Sequence, residues 1–327
     1  MRDPDGSRLA DLPEAENMIV DVHTRVWESA KQLGRAEETL RRKPNVPWER
    51  PDACPDAHHE AMQPVRHALI LGFDSKYLQA QITHEQVAGY VCKDPAKYLG
   101  VAGIDPMRGD AVRSLERARE LGLIGVTVSP AAQAFHPCDT QAMELYEACA
   151  ALKVPVLFEA ATLLARDAKL EFAQPYLLDE VARTFPELKI VVSALGDPWV
   201  HQCLTLIDKH PTVYADLSDL ATRPWQLYNA LILAHQQGAT GRILFGSNFP
   251  FCTPEQAIVS IYSINTFTQG TPLPSIPREQ LRSIVERDAL VCLGLRDAGF
   301  DEPASSGSKH QTMKIPSAHS FKDADSA

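Results

Sequence analysis

Eight nearly continuous apolar runs, with stretches of helical spacing between them, constrain what this 327-residue chain can fold into. They fall at about 18–23, 66–72, 98–104, 123–129, 154–159, 188–194, 212–217 and 242–247. Val, Ile and Leu dominate them, as in parallel sheets whose two faces are both covered. Helical patterns intervene at 111–121, 141–152, 176–184, 224–236 and 277–293. Asp139 and the Asp197-Pro198 pair stand where two of these helices open. Strands alternating with helices in one unit predict the α/β class, as a single (β/α)8 TIM barrel. An open doubly wound sheet is the competing arrangement, but no GxGxxG follows the first strand to support it.

Residues 1–17 are polar and read as a flexible leader; 299–327, rich in Ser, Ala, Lys and Asp, read as a disordered tail. The barrel is expected over 18–298. One interval is too long: 27–65 separates the first two strands, with a helical stretch at 29–42 and then a Pro- and His-rich segment. A loop after the first strand lies over the face where barrel active sites sit. The insertion is therefore expected to be a lid or an oligomer contact, with plain surface elaboration as the alternative.

The composition, 45% hydrophobic and 23% charged, supplies ample material for a core. A net charge of −10 disfavours nucleic acid as a partner, because that binding rests on Lys and Arg neutralising phosphates. No uninterrupted apolar stretch approaches the ~20 residues of a membrane span, so no membrane partner is expected. Seven cysteines, at 54, 92, 138, 149, 203, 252 and 292, form no CxxC pair and are odd in number. That fits a reducing compartment. The opening Met1-Arg2-Asp3-Pro4 lacks the apolar core of a signal peptide, and a cytoplasmic location is expected.

The first strand reads Met18-Ile19-Val20-Asp21-Val22-His23-Thr24-Arg25, and the last reads Arg242-Ile243-Leu244-Phe245-Gly246-Ser247-Asn248-Phe249-Pro250. Between them lie Val154-Pro155-Val156-Leu157-Phe158-Glu159 and Ile190-Val191-Val192-Ser193-Ala194-Leu195-Gly196. Together these phrases resemble the amidohydrolase superfamily in its amidohydrolase-related branch. That branch includes aminocarboxymuconate-semialdehyde-type and resorcylate-type decarboxylases and pyrone-dicarboxylate lactonases. The resemblance implies a barrel that holds zinc or another divalent ion at the C-terminal ends of its strands. The ligands would be His-x-His on strand one, a His ending strand five, a His ending strand six and an Asp ending strand eight. It implies that His23, Arg25, Glu159, Ala194 and Asn248 occupy those positions here. Thr127 stands where some members place a carboxylated Lys.

Only His23 is unchanged. Ala194 has no donor atom, Arg25 is a cation, and Asn248 offers a neutral amide. A catalytic zinc normally takes three protein ligands, and His23 with Glu159 makes two. Loss of tight metal binding is therefore expected, with no cofactor in its place. Ligands to one ion lie within roughly 4 Å of one another, so Arg25 and Glu159, opposite in charge, are predicted to meet there as a bidentate pair. His23 and Asn248 would complete the hydrogen bonding. The alternative is that both charged side chains turn outward to water.

Trp27 and His136 are candidates for contacting a small carboxylated ligand, with loop packing as the other reading of each. His58 and His59 read as surface residues. Asp216 reads as a partner for backbone N–H groups and Asp105 as the organiser of a turn. There is no GxSxG elbow. Three functions stay open. One is a pseudoenzyme, without metal-dependent hydrolase or decarboxylase activity, that persists as a small-molecule binding protein, oligomer partner or regulator. Another is a metal-free hydrolase or decarboxylase of a small carboxylated compound, with His23 or Glu159 as acid or base and Arg25 holding an oxyanion. The third is a metal enzyme with a rebuilt site using His23, Glu159 and either His136 or a residue of the insertion. Many relatives in this family form dimers, so the resemblance allows a homodimer, although no feature of the sequence itself shows one.

Overall fold

Each of the eight apolar runs forms a strand in the computed structural model, which describes residues 18–37, 53–159 and 165–296. The leader, the tail and the middle of the insertion (38–52) lie outside the described residues. The barrel strands are β1 (Val20–Thr24), β2 (His67–Leu71), β5 (Tyr98–Gly103), β6 (Gly125–Val128), β7 (Val156–Phe158), β8 (Ile190–Val192), β9 (Val213–Asp216) and β10 (Ile243–Leu244). They pair in parallel in chain order. The last strand returns to the first: Val22 N donates to Phe245 O at 3.0 Å, and Arg25 N to Phe249 O at 3.1 Å. β10 is shorter than the expected 242–247: its pairing with β9 ends at Leu244, opposite Asp216, the last residue of β9.

Alternation divides the apolar side chains into two sets. Val20, Val22, Leu69, Leu71, Val101, Leu157, Val191 and Leu244 fill the barrel interior. Ala289, Leu290 and Leu293, from the short helix Ala289–Cys292 and the residue after it, join that interior cluster. The opposite strand faces, including Ala68, Ile70, Val126, Val156, Ile190 and Ile243, pack under the surrounding helices.

β1 contains an irregularity that the sequence pattern does not reveal. Its register with β2 runs Val20↔His67 and Asp21↔Ala68 but then Thr24↔Ile70, so β1 carries one extra residue. A bulge of this kind re-aims side chains. It lets Val22 fill the interior while His23 and Arg25, one and three residues later, both reach the mouth.

The helices depart from expectation in two places. The pattern at 29–42 begins as a 3-10 helix, Ala30–Ala36, broken at Gly34. Gly34 has φ 53°, and a Cβ there would lie 2.3 Å from Leu78 O, so the close approach requires glycine. The pattern at 277–293 is two helices, Arg278–Val285 and Ala289–Cys292. Asp288 divides them and caps the second, accepting from Leu290 N and Val291 N. A hairpin not evident in the sequence, β3 (Phe73–Ser75) with β4 (Ala80–Ile82), follows β2. No described helix is long and apolar enough to cross a membrane.

The insertion is tied to the barrel by His58, which is fully buried rather than on the surface. It lies on the helix Pro55–Ala61, and its Nδ1 meets Tyr90 Oη at 2.8 Å and its Nε2 meets Thr24 Oγ1 at 3.0 Å. Tyr90, Tyr98 and Phe249 surround the ring edge-on. Burial pulls the imidazole's pKa down to about 3, so His58 is neutral and acts as a wedge.

Candidate functional site

The C-terminal ends of β1, β7, β9 and β10 bring His23, Arg25, Glu159, Asp216 and Asn248 to the barrel mouth. All five are buried. Arg25 Nη2 donates to Glu159 Oε1 across the barrel. The contact uses one nitrogen, not the fork expected from the charges: Arg25 Nε and Nη1 are buried without a hydrogen-bond partner. Burial lowers the guanidinium pKa to about 10, and Asp216 works against that shift. Arg25 therefore stays charged at neutral pH.

His23 leans on Asp216, with Nδ1 and Asp216 Oδ2 3.1 Å apart. An ionised carboxylate only accepts, so the proton sits on Nδ1 and Nε2 presents a lone pair. Nε2 is buried and unpartnered. Burial lowers the proton affinity of the ring, Asp216 opposes it, and nearby Arg25 reinforces it. Asp216 does more than serve the backbone. Its Oδ1 takes Ala194 N at 2.9 Å and Ser218 N at 2.9 Å, while Oδ2 fixes the imidazole. Burial alone would raise its pKa, but His23 and these donors hold it below the usual carboxylate range. Alternation along β9 turns Asp216 to the same side as Tyr214, which packs on the interior cluster, and that was the available signal.

Ser193 Oγ lies 3.3 Å from His23 Nδ1. Serine, histidine and aspartate thus meet, but not as a nucleophilic triad. A triad needs the serine on the nitrogen opposite the carboxylate, and here both crowd the same one. Behind β1, Asp21 Oδ1 accepts from His23 N at 3.1 Å and Ser247 N at 3.0 Å. Burial pushes its carboxyl up to about 7.

Asn248 is fixed on two sides. Its N donates to His23 O at 3.0 Å, and its Nδ2 faces Asp219 Oδ1 at 3.4 Å. Because that carboxylate can only accept, the amino group must point toward it. Oδ1 is left buried and unpartnered, as is Thr127 Oγ1 in β6. Gly246 makes room for this packing: a Cβ there would lie 3.1 Å from His23 Cβ and 3.4 Å from Asp216 Cβ.

The other two candidates lie apart from these contacts. Trp27 is buried, packs on Phe251 at 6.4 Å between centroids, and lines a cavity of about 380 Å³ with Val26, Ile70, Val87 and Tyr90. Ile70 and Val87 belong to the layer outside the barrel, so this cavity is off the axis. His136 packs its ring on Phe172 at 5.9 Å and accepts from Cys138 N at 3.1 Å. Among the described residues it makes no hydrogen bond to His23, Arg25, Glu159 or Asn248.

The donor set does not suit a divalent ion. Glu159 is engaged by a cation, Ala194 supplies nothing, and Asn248 supplies one neutral oxygen. Among the described residues, no three His, Cys, Asp or Glu side chains are grouped to share a metal.

Residues 20–286 match the family model described as Amidohydrolase. No curated protein matches the chain. Among solved structures, an uncharacterised TIM-barrel protein from Bordetella bronchiseptica is 19% identical, with a TM-score of 0.67 over 85% of this chain and 99% of that one. A dihydroxybenzoic acid decarboxylase from a Polaromonas species, with bound manganese and the inhibitor 2-nitroresorcinol, is 18% identical, with a TM-score of 0.58 over 86% and 98%. An amidohydrolase from Burkholderia multivorans with bound zinc is 16% identical, with a TM-score of 0.60 over 85% and 99%. At these identities the structures show the shared fold.

Proposed function

The chain belongs to the amidohydrolase family, and on that premise we propose that it has left metal-dependent hydrolysis and decarboxylation behind and works as a small-molecule binding protein. The observation that carries this reading is the contact of Arg25 with Glu159, at two positions where the family resemblance implies metal ligands. A guanidinium there supplies positive charge in a fixed place without an ion. It cannot ionise a water molecule to hydroxide as a Lewis acid does. With Ala194 and Asn248 at two further positions, His23 and Glu159 are the only members of that set of the His, Asp, Glu or Cys type, one short of the three a catalytic zinc takes. The test is elemental analysis of protein purified without chelator. Zinc and manganese are expected far below one per chain. Either metal at full stoichiometry, lost on replacing His23, would overturn the reading.

One observation favours a second reading, metal-free catalysis. His23 carries a carboxylate behind Nδ1 and a free lone pair on Nε2, the arrangement of a general base. The unpartnered nitrogens of Arg25 would face an oxyanion formed near it. Turnover of a small carboxylated compound that resists chelators and disappears in His23→Gln would establish this reading; activity indifferent to His23 would dismiss it.

A further inference from the structure

The insertion builds a cavity against the outer layer of the barrel, apart from the mouth. Trp27 and Gln32 come from its first part, Pro55 from its second, and Gln86, Gly89 and Tyr90 from the helix His84–Val91. Those three stand at i, i+3 and i+4, so one face of that helix forms the wall. The volume of about 380 Å³ falls within the range of small-molecule pockets, about 300–1,000 Å³. Glycine is costly inside a helix, yet Gly89 lies within this one, and a Cβ there would meet nothing within 4 Å. The open space in front of it belongs to the cavity that it lines.

Val26, Trp27, Ile70, Val87 and Tyr90 give the cavity an apolar floor. Its two amides donate. Gln32 Oε1 accepts from Glu28 N at 2.8 Å and Ser29 N at 3.1 Å. Gln86 Oε1 accepts from Thr83 N at 3.0 Å and Gln32 Nε2 at 2.9 Å. Both oxygens are thereby taken, and backbone donors fix the orientation of each amide. One N–H of Gln32 and both of Gln86 have no partner among the described residues. Charge narrows the occupant further. Glu28 and Glu85 against Lys93 leave the lining net negative, which opposes an anion. Glu85 is engaged by Arg117 at 3.5 Å, and Lys93 lies 5.6 Å over the Tyr90 ring. A cation meets one ring face already occupied and N–H groups that repel it.

We infer that this cavity is a second binding site, for a small uncharged molecule with an aromatic body and a carbonyl acceptor, of the aryl ketone kind. The body packs on Trp27 and Tyr90, and the carbonyl oxygen takes the unpartnered N–H groups of Gln86 and Gln32. The inference goes beyond the reading of the mouth and does not depend on it.

Nitrogen–proton NMR of the full chain titrated with acetophenone tests this. The indole N–H of Trp27 and the side-chain N–H groups of Gln86 are expected to shift together, with a Kd at or below about 1 mM. Benzoate and benzylamine are expected to bind at least about tenfold more weakly. Gly89→Leu fills the open space and favours the helix. It is expected to abolish the shifts while the thermal midpoint stays at or above that of wild type. Gln86→Glu keeps the capping box with Thr83 but replaces its donors with an acceptor, and is expected to weaken acetophenone about tenfold at the Trp27 signal. Absent shifts, or shifts that persist in Gly89→Leu, would overturn the site. Benzoate or benzylamine binding as tightly as acetophenone, or Gln86→Glu binding it unchanged, would overturn the assignment of an uncharged acceptor.

Discussion

Arg25 shows how one residue can be both anchored and available. Nη2 is held by Glu159, and the remaining nitrogens are buried without partners. Removing one member of a buried ion pair strands the other, at about 3–5 kcal/mol. Arg25→Met is expected to destabilise by that amount in urea unfolding, and Glu159→Leu added to it should recover part of the loss. Equal stability of Arg25→Met and wild type would show that the pair carries no energy. Gly246 is the second sensitive residue. Gly246→Ala pushes a methyl against His23 and Asp216 and should cost about 1–3 kcal/mol as overpacking. Nitrogen chemical shifts of the His23 ring should show the hydrogen bond to Asp216 weakened; an unchanged ring would contradict the packing described. Much at this scale was legible beforehand. The family resemblance put His23, Arg25, Glu159 and Asn248 at one mouth, and opposite charges suggested the contact. The single-nitrogen geometry was not legible, because it depends on the depth at which each side chain leaves its strand. The inward turn of Asp216 was readable from alternation along β9 but was passed over, since an aspartate at a strand end has many ordinary uses.

Among elements, all eight strands stood out because each is a nearly continuous apolar run covered on both faces. The breaks in the helices did not. Gly34 bends its segment because Leu78 O comes within reach, and Asp288 divides the last helical stretch by capping its second half; neither cause is local to the pattern. His58 was misjudged for a similar reason. Its burial depends on Tyr90, Tyr98 and Thr24, all distant in sequence. The consequence is a pH dependence. A histidine near pKa 6.5 when unfolded and about 3 when folded stabilises fully above pH 6.5. That contribution drains away as the pH falls toward 3, because only the unfolded chain takes up the proton. The unfolding free energy should fall more steeply from pH 6.5 to pH 4 in wild type than in His58→Gln, as measured by urea titration at each pH. Parallel slopes would mean that His58 is protonated in place.

Across the whole molecule, the barrel interior joins two regions of different character. Apolar layers end in Ala289, Leu290 and Leu293, while charged and polar side chains gather at the ends of the strands. Leu290→Ala should cost about 2–5 kcal/mol, read from the denaturation midpoint, because the interior cluster it belongs to has little freedom to collapse around the gap. A loss under 1 kcal/mol would show that this helix is an ornament and not part of the core. The mutual neutralisation of Arg25 and Glu159 also bears on ancestry. Exchanging either one alone leaves a bare buried charge. If positions 25 and 159 once held metal ligands, as the proposed function supposes, a histidine returning to either one passes through an unstable intermediate, and the lineage meets a barrier on the way back.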